Sequence, residues 1–298
     1  MHEIQKRETP PTLARPFFPN KFKRPGKDWL NQNDRPTLAG KVIPVIYAGI
    51  VMRKNPIRVN KDELLKQCKK AKEDFKRYIA QVNSKRTSKF SYSRRLGDAV
   101  GFHHDNRKNP SHDHLLFFHH PRAEVFVPAK AYVTLLTSEA DHSHKHFVDL
   151  CQALYDAGVH FVAKGTTPKG TLERTDNLIF YIDRPHRAKA AEVITHFLTI
   201  NKIAEGKVPG SIASHVSGLS WAREPTREEG KLWQKITGSS IEWNNIGWNG
   251  VQAALLIPAF FEANAAAHRR TGNFKMAKVF NDEAARVRRL IEESGVVR

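Results

Sequence analysis

Of the 15 histidines in this 298-residue chain, nine fall in two short stretches. Residues 102–120 read FHHDNRKNPSHDHLLFFHH, which carries His103, His104, His112, His114, His119 and His120. Residues 140–147 read ADHSHKHF, with His142, His144 and His146. Closely spaced imidazoles can ligate zinc, and a single imidazole can pass a proton near neutral pH. Yet the HxDxH and HxHxH spacings lie in polar, turn-like sequence without cysteine companions. A surface loop that lends one histidine to chemistry is therefore favoured over a metal site. The two cysteines, Cys68 and Cys151, form neither a disulfide framework nor a CxxC pair, which reads as a cytosolic chain.

A second chemical feature is charge. The net is +19, but residues 1–100 hold 24 Lys+Arg against 9 Asp+Glu, a local net of +15, and the remaining residues carry only +4. Such asymmetry suits a polyanionic partner contacting residues 1–100, or equally a solvated arm. Lys and Arg interleaved with Phe17, Phe18, Phe22 and Trp29 could contact phosphates and stack bases, although no helix-turn-helix, zinc-finger or RNP signature is present. The apolar runs KVIPVIYAGIVM and AALLIPAFF are too short to span a bilayer, and the first residues lack the apolar core of a cleaved signal.

These residues must be positioned by a core, and 40% hydrophobic residues supply enough apolar material for one. Residues 1–40, rich in Pro, Lys, Arg and Asn, predict a basic, partly extended arm. Residues 41–298 predict a single α+β domain. Residues 42–52 predict one buried strand or a short helix, because Pro44 disfavours a long one. Asn60, with Glu63 three residues on, opens a helix running to about Val82. AKAYVTLLT (129–137) alternates as a strand, residues 143–157 predict a helix, and Gly158 ends it. VHFVAK (159–164) is the next strand, followed by a polar loop and the strand DNLIFYID (176–183). A helix opens at Pro185 and runs to about Ile203. Residues 206–225 read as irregular, and two helices close the chain near 249–268 and 274–293. Strands interspersed with helices in this order define an α+β fold with an antiparallel or mixed sheet flanked by helices.

Within that frame, GVHFVAKG followed by LERTDNLIFYID resembles the HopA family of type III secreted effectors, whose pattern is a strand ending in Lys, a loop, then Arg-x-Asp leading into a strand with Tyr. VPGSIASHVSGLSWAREP (208–225) is similar to the family's Val-Pro…Gly-Leu…Ala-x-(Glu/Asp)-Pro segment. The family-like region runs over about 125–268. Related domains serve as lyase modules of lanthipeptide synthetases, and the OspF/SpvC phosphothreonine lyases are more distant relatives. The resemblance implies cofactor-free, metal-free β-elimination of phosphate from phosphothreonine or phosphoserine in a peptide or protein, within the cytoplasm or inside a host cell. Such chemistry needs a base, cations on the phosphate and an acid for the leaving oxygen. The resemblance casts Lys164 as the base; a lysine does this at neutral pH only when burial or neighbouring cations favour its neutral form. It casts Arg174 as a phosphate ligand, Tyr181 as its companion on the adjacent strand, and Asp176 as the residue that orients Arg174, with Glu224 supporting from the AREP segment.

Two departures stand out. The family's general-acid histidine has Thr134 in its place, so His144, His146, His119 or His120 would have to supply the proton. A later family arginine is absent, leaving Arg223 or His215 to replace it. From residue chemistry alone, Lys164 is equally a strand-end lysine, Arg174 with Asp176 a loop ion pair, and Tyr181 the edge of a core. A non-catalytic phosphopeptide-binding protein and a nucleic-acid-binding protein therefore stay open beside the lyase. If the basic first third binds DNA or RNA through charge, its affinity should fall by orders of magnitude between roughly 50 and 200 mM salt; salt-indifferent binding would contradict that mode.

Overall fold

In the computed structural model, which describes residues 37–57, 60–93, 101–104, 114–120, 122–123, 129–206, 212–213, 216–240 and 246–296, the apolar strand sequences join one eight-stranded mixed sheet. Of the arm expected over residues 1–40, residues 1–36 lie outside the described residues, as does His215, whereas residues 38–40 are helical rather than extended. Contacts divide the chain into two units, Gly49–Glu224 and a second drawn from Met1–Ala48 and Pro225–Arg298. Residues 41–298, expected as one domain, are shared between both.

The chain enters through α1 (Leu38–Val51), a 14-residue helix that retains Pro44 in its interior. The helix is longer than expected from Pro44. Burial of Ala39, Val42, Ile43, Ile46 and Val51 outweighs the one backbone bond that Pro44 cannot donate. Next comes α2 (Lys61–Ser84), capped as expected, with the Asn60 side chain accepting from the Glu63 N–H.

The strands are β1 (Ser91–Ser93), β2 (Gly101–His104), β3 (His114–His119), β4 (Ala129–Val133), β5 (Phe161–Thr166), β6 (Leu178–Ile182), β7 (Ile212–Ala213) and β8 (Leu219–Arg223). Their spatial order is β1-β2-β3-β5-β6-β4-β8-β7, with β1 and β2 parallel and the other neighbours antiparallel. Two expectations are corrected here. The histidine-rich stretch is not a plain surface loop: its described ends are β2 and β3, because Phe102, Leu116 and Phe118 point into the core. The irregular 206–225 segment contains β8, which pairs along the whole of β4. Both sides of β8 are buried over Leu219–Ala222, so no polar alternation marks it in sequence.

Alternation fixes the two faces of the sheet. Ala129, Ala131, Val133, Phe161, Ala163, Leu178, Phe180, Ile182, Leu219 and Trp221 join one core with residues of α2, α3 (Ser143–Asp156) and α5 (Arg187–Asn201). Aromatic rings fill it: Phe118 stacks on Phe161 at 4.8 Å, and Phe90 meets Phe102 edge-on at 5.1 Å. Gly165 packs so close to α3 that a Cβ there would stand 2.8 Å from the Phe147 ring. Between β5 and β6, the expected polar loop contains a short helix, α4 (Pro168–Glu173), started by Thr167 accepting from Gly170 N–H. Gly218 has φ +77° and admits the Ala204–Glu205 backbone; a Cβ would lie 2.6 Å from Glu205 N.

The second unit adds α6 (Arg227–Thr237), opened by a reciprocal Thr226–Glu229 capping box and absent from the sequence expectation. One expected helix near 249–268 is instead two, α7 (Trp248–Leu255) and α8 (Ile257–Arg270), bent by 40° at the break beside Pro258. The last helix, α9 (Phe274–Ser294), packs on α8 with Phe261 stacked on Phe280 at 5.6 Å. Among the described residues no single helix is long and apolar enough to cross a membrane.

Phe118→Ala should destabilise the sheet unit by about 3–5 kcal/mol, read from the midpoint of denaturant unfolding at unchanged m-value.

Candidate functional site

Opposite the aromatic core, the same strands present a different set of side chains. Register makes this a grid. Lys130 on β4 faces Tyr181 on β6, which faces Val162 on β5. One step along, Tyr132 and Lys164 flank Ile179 from either side, and Ser220 lies beyond Tyr132. Past the end of β4, Thr134 continues this face.

Lys130 and Lys164 both approach the Tyr181 ring, with Nζ 4.9 and 5.4 Å from its centroid. Such contacts favour a cation over an aromatic face. Lys130 is 5% exposed, and its charge is met by Glu224, with Nζ 2.7 Å from Oε1. Burial is the main force on the Tyr181 hydroxyl and raises its pKa. Lys130 acts the other way, while Glu224 and Asp176 reinforce the rise. Tyr181 is therefore a protonated donor at neutral pH.

Arg174 arrives from the loop between α4 and β6. Its Nε donates to Asp176 Oδ1 at 2.7 Å and its Nη2 to Asp176 Oδ2 at 2.9 Å, a bidentate pair on a carboxylate that is only 2% exposed. This pair is what both expectations require, an Asp176 that orients Arg174 and a plain loop ion pair. Beneath the loop Asn177 is fully buried: its Oδ1 accepts from Leu135 N–H at 2.7 Å, and its Nδ2 donates to the Gly170 and Arg174 carbonyls at 3.2 and 3.0 Å. Among the described residues Lys130 is paired with Glu224 and Arg174 with Asp176, and Lys164 stands beside the Tyr181 ring.

The other expected residues differ in placement. The Thr134 hydroxyl, buried, donates to the Thr175 carbonyl and helps to hold the Arg174 loop. Arg223 shares the parity of Leu219 and Trp221, on the side away from Lys130, and is exposed. His215 is outside the described residues. His144 is not brought to Lys164: it sits on α3, behind the sheet. There it lines a cleft of about 410 Å³ with Lys70, Asp74, Arg77, Tyr78, Gln81, Asp141 and His142. Burial lowers its pKa, chiefly against the pull of Asp74, and its Nδ1 is buried without a partner among the described residues. His146 is engaged with Glu139 at 2.7 Å. His119 ends β3 exposed and, in register with Val162, stands on the same sheet face as Lys164 and Tyr181. Among the described residues no group of three His, Cys, Asp or Glu is placed to hold a metal ion.

Sequence reasoning missed Lys130, Tyr132 and Asn177. A lysine between apolar neighbours in AKAYV was the available signal for the first. Nothing in the sequence announced the other two.

His120 forms a separate stack, with its ring 4.6 Å from His160, which in turn lies 4.2 Å from His186. Burial, then the charges of His160, Arg122 and His186, push its pKa down to about 4, against a smaller opposing pull from Asp183.

No protein-family model matches the chain, and no curated protein does. Among solved structures, the effector protein from Pseudomonas syringae pv. tomato strain DC3000 is similar at 14% identity, over 80% of this chain and 88% of that one, with a TM-score of 0.44. The type III effector/phosphothreonine lyase OspF from Shigella flexneri is similar at 15% identity, over 50% of this chain and 89% of that one, with a TM-score of 0.30.

Because folding holds His120 neutral while the unfolded imidazole titrates near 6.5, its contribution is complete above pH 6.5 and is lost as pH falls toward 4. Unfolding titrations of wild type and His120→Phe should diverge over that window, with wild type losing about 1–2 kcal/mol more, a figure discounted for partial solvent contact.

Proposed function

We propose that this chain is a phosphothreonine or phosphoserine lyase-like protein that removes phosphate from a phosphorylated peptide or protein by β-elimination. The observation that supports the reading is the approach of Lys130 and Lys164 to the Tyr181 ring, with Asp176, the partner of Arg174, close enough for its charge to act on the Tyr181 hydroxyl. In this reading Lys164, as the neutral amine, takes the α-proton on Nζ, the Cα–Cβ double bond forms, and the Cβ–O bond breaks. Arg174 and Lys130 hold the departing phosphate, whose charge their guanidinium and ammonium groups offset. Thr134 does not serve as the acid, because its hydroxyl is committed to the Thr175 carbonyl. Tyr132, one strand step from Lys130 and level with Lys164 across Ile179, is the proton donor to the leaving oxygen. No cofactor takes part in this scheme.

A second reading is binding of a phosphorylated peptide without cleavage. Placement of a phenol where a stronger acid would serve better favours it.

Mass analysis of a phosphothreonine peptide incubated with the full chain separates the two. Loss of phosphoric acid, leaving a dehydro-residue, is expected, and Lys164→Ala should lower that turnover by about 10²–10⁴-fold while phosphopeptide affinity stays within a few-fold. Loss of the phosphoryl group alone, or tight binding with unchanged mass, would contradict the lyase.

A further inference from the structure

Arg53 follows α1 in sequence and belongs to the sheet unit. There Val51, Met52 and Arg53 run antiparallel to Glu173, Arg174 and Thr175. Met52 bridges Arg174; Arg53 N–H donates to the Glu173 carbonyl at 2.8 Å; Thr175 N–H donates to the Val51 carbonyl at 2.7 Å. This short ladder brackets the Arg174 backbone on both sides. The Thr175 hydroxyl reinforces it, donating to the Val51 carbonyl at 3.0 Å.

The Arg53 side chain then crosses to the sheet. Its Nε donates to the Thr171 carbonyl in α4 at 2.9 Å, and its Nη2 donates to the Leu135 carbonyl just beyond β4. One planar fork thus ties the helix before Arg174 to the strand that carries Lys130 and Tyr132. The guanidinium is half-buried, and desolvation is the largest influence on it, opposed by the Glu205 carboxylate. Glu205 in turn donates its N–H to the Thr134 carbonyl at 3.0 Å. A charged group spent on two carbonyls at this depth fixes a distance between two elements. Lysine could not replace it, since a single ammonium lacks the fixed fork.

We infer that Arg53 is a positioning residue: the Val51–Arg53 strap and the Arg53 fork set the height and direction at which Arg174 meets a phosphate on the sheet face. This rests on the proposed reading of Arg174 as a phosphate ligand. Arg53 itself does not touch the substrate.

The test is a double-mutant cycle in the full chain, read as affinity for a phosphothreonine peptide and for its unphosphorylated twin by fluorescence anisotropy. Arg53→Lys is included because it keeps the charge if Arg53→Ala unfolds. Either variant should weaken phosphopeptide binding about tenfold, in line with the sensitivity of oriented contacts to small displacements. Affinity for the unphosphorylated twin should not change. In an Arg174→Ala background the same substitutions should have almost no further effect. An equal loss in both backgrounds would overturn the inference, because a general stabilising role does not depend on Arg174. Binding with normal coupling but no elimination would overturn the lyase reading and support this inference. A wild-type chain that does not distinguish the two peptides would overturn both.

Discussion

The alternation of side chains along β5 decides which of them enter the core and which stand on the opposite face of the sheet. Phe161, Ala163 and Gly165 press toward α3, and at Gly165 the approach is so close that the Phe147 ring occupies the space a Cβ would need. Val162, Lys164 and Thr166 are then forced to the other side of the sheet, where Tyr181 and Lys130 also emerge from their strands. A register slip of one residue would exchange the faces and bury an ammonium among phenylalanines. The aromatic core therefore does more than stabilise the unit: it determines on which side the cations stand.

Charges on that second face are kept at low exposure only because each carboxylate has a matched partner. Glu224 meets Lys130, and Asp176 meets Arg174 in a bidentate pair. Breaking either pair would leave a desolvated charge, at a cost of about 3–5 kcal/mol for a fully buried one. Neutral anchors complete the scaffold. Asn177 satisfies three backbone groups from two elements, and Thr134 closes onto the Thr175 carbonyl. The loop presenting Arg174 is thereby fixed by hydrogen bonds within the sheet unit.

Much of this was legible in the sequence. The Asn60 cap marked the start of α2 and Gly158 the end of α3, because capping is a local signal. Lys164, Arg174, Asp176 and Tyr181 were singled out only through the family resemblance, and the α+β fold with an antiparallel or mixed sheet was expected as it is found. What escaped was non-local. β8 has two buried faces and no alternation, β2 and β3 were hidden among histidines, and α1 kept a proline that its packing tolerates. The roles of Asn177 and Arg53 depend on backbone groups far away in sequence, the Leu135 N–H for the first and the Leu135 carbonyl for the second, so residue type alone could not disclose them. His144 was chosen for its chemistry, but helix α3 holds it on the far side of the sheet.

The central claim is that one sheet face, and not the basic surface of α2 or the cleft beside His144, receives the phosphorylated ligand. Chemical-shift mapping of the full chain titrated with a phosphothreonine peptide tests it most directly. Perturbations clustered at Lys130, Tyr132, Lys164, Arg174 and Tyr181 are predicted. Perturbations centred instead on Lys70, Arg77 and His142, with that face unmoved, would contradict the account.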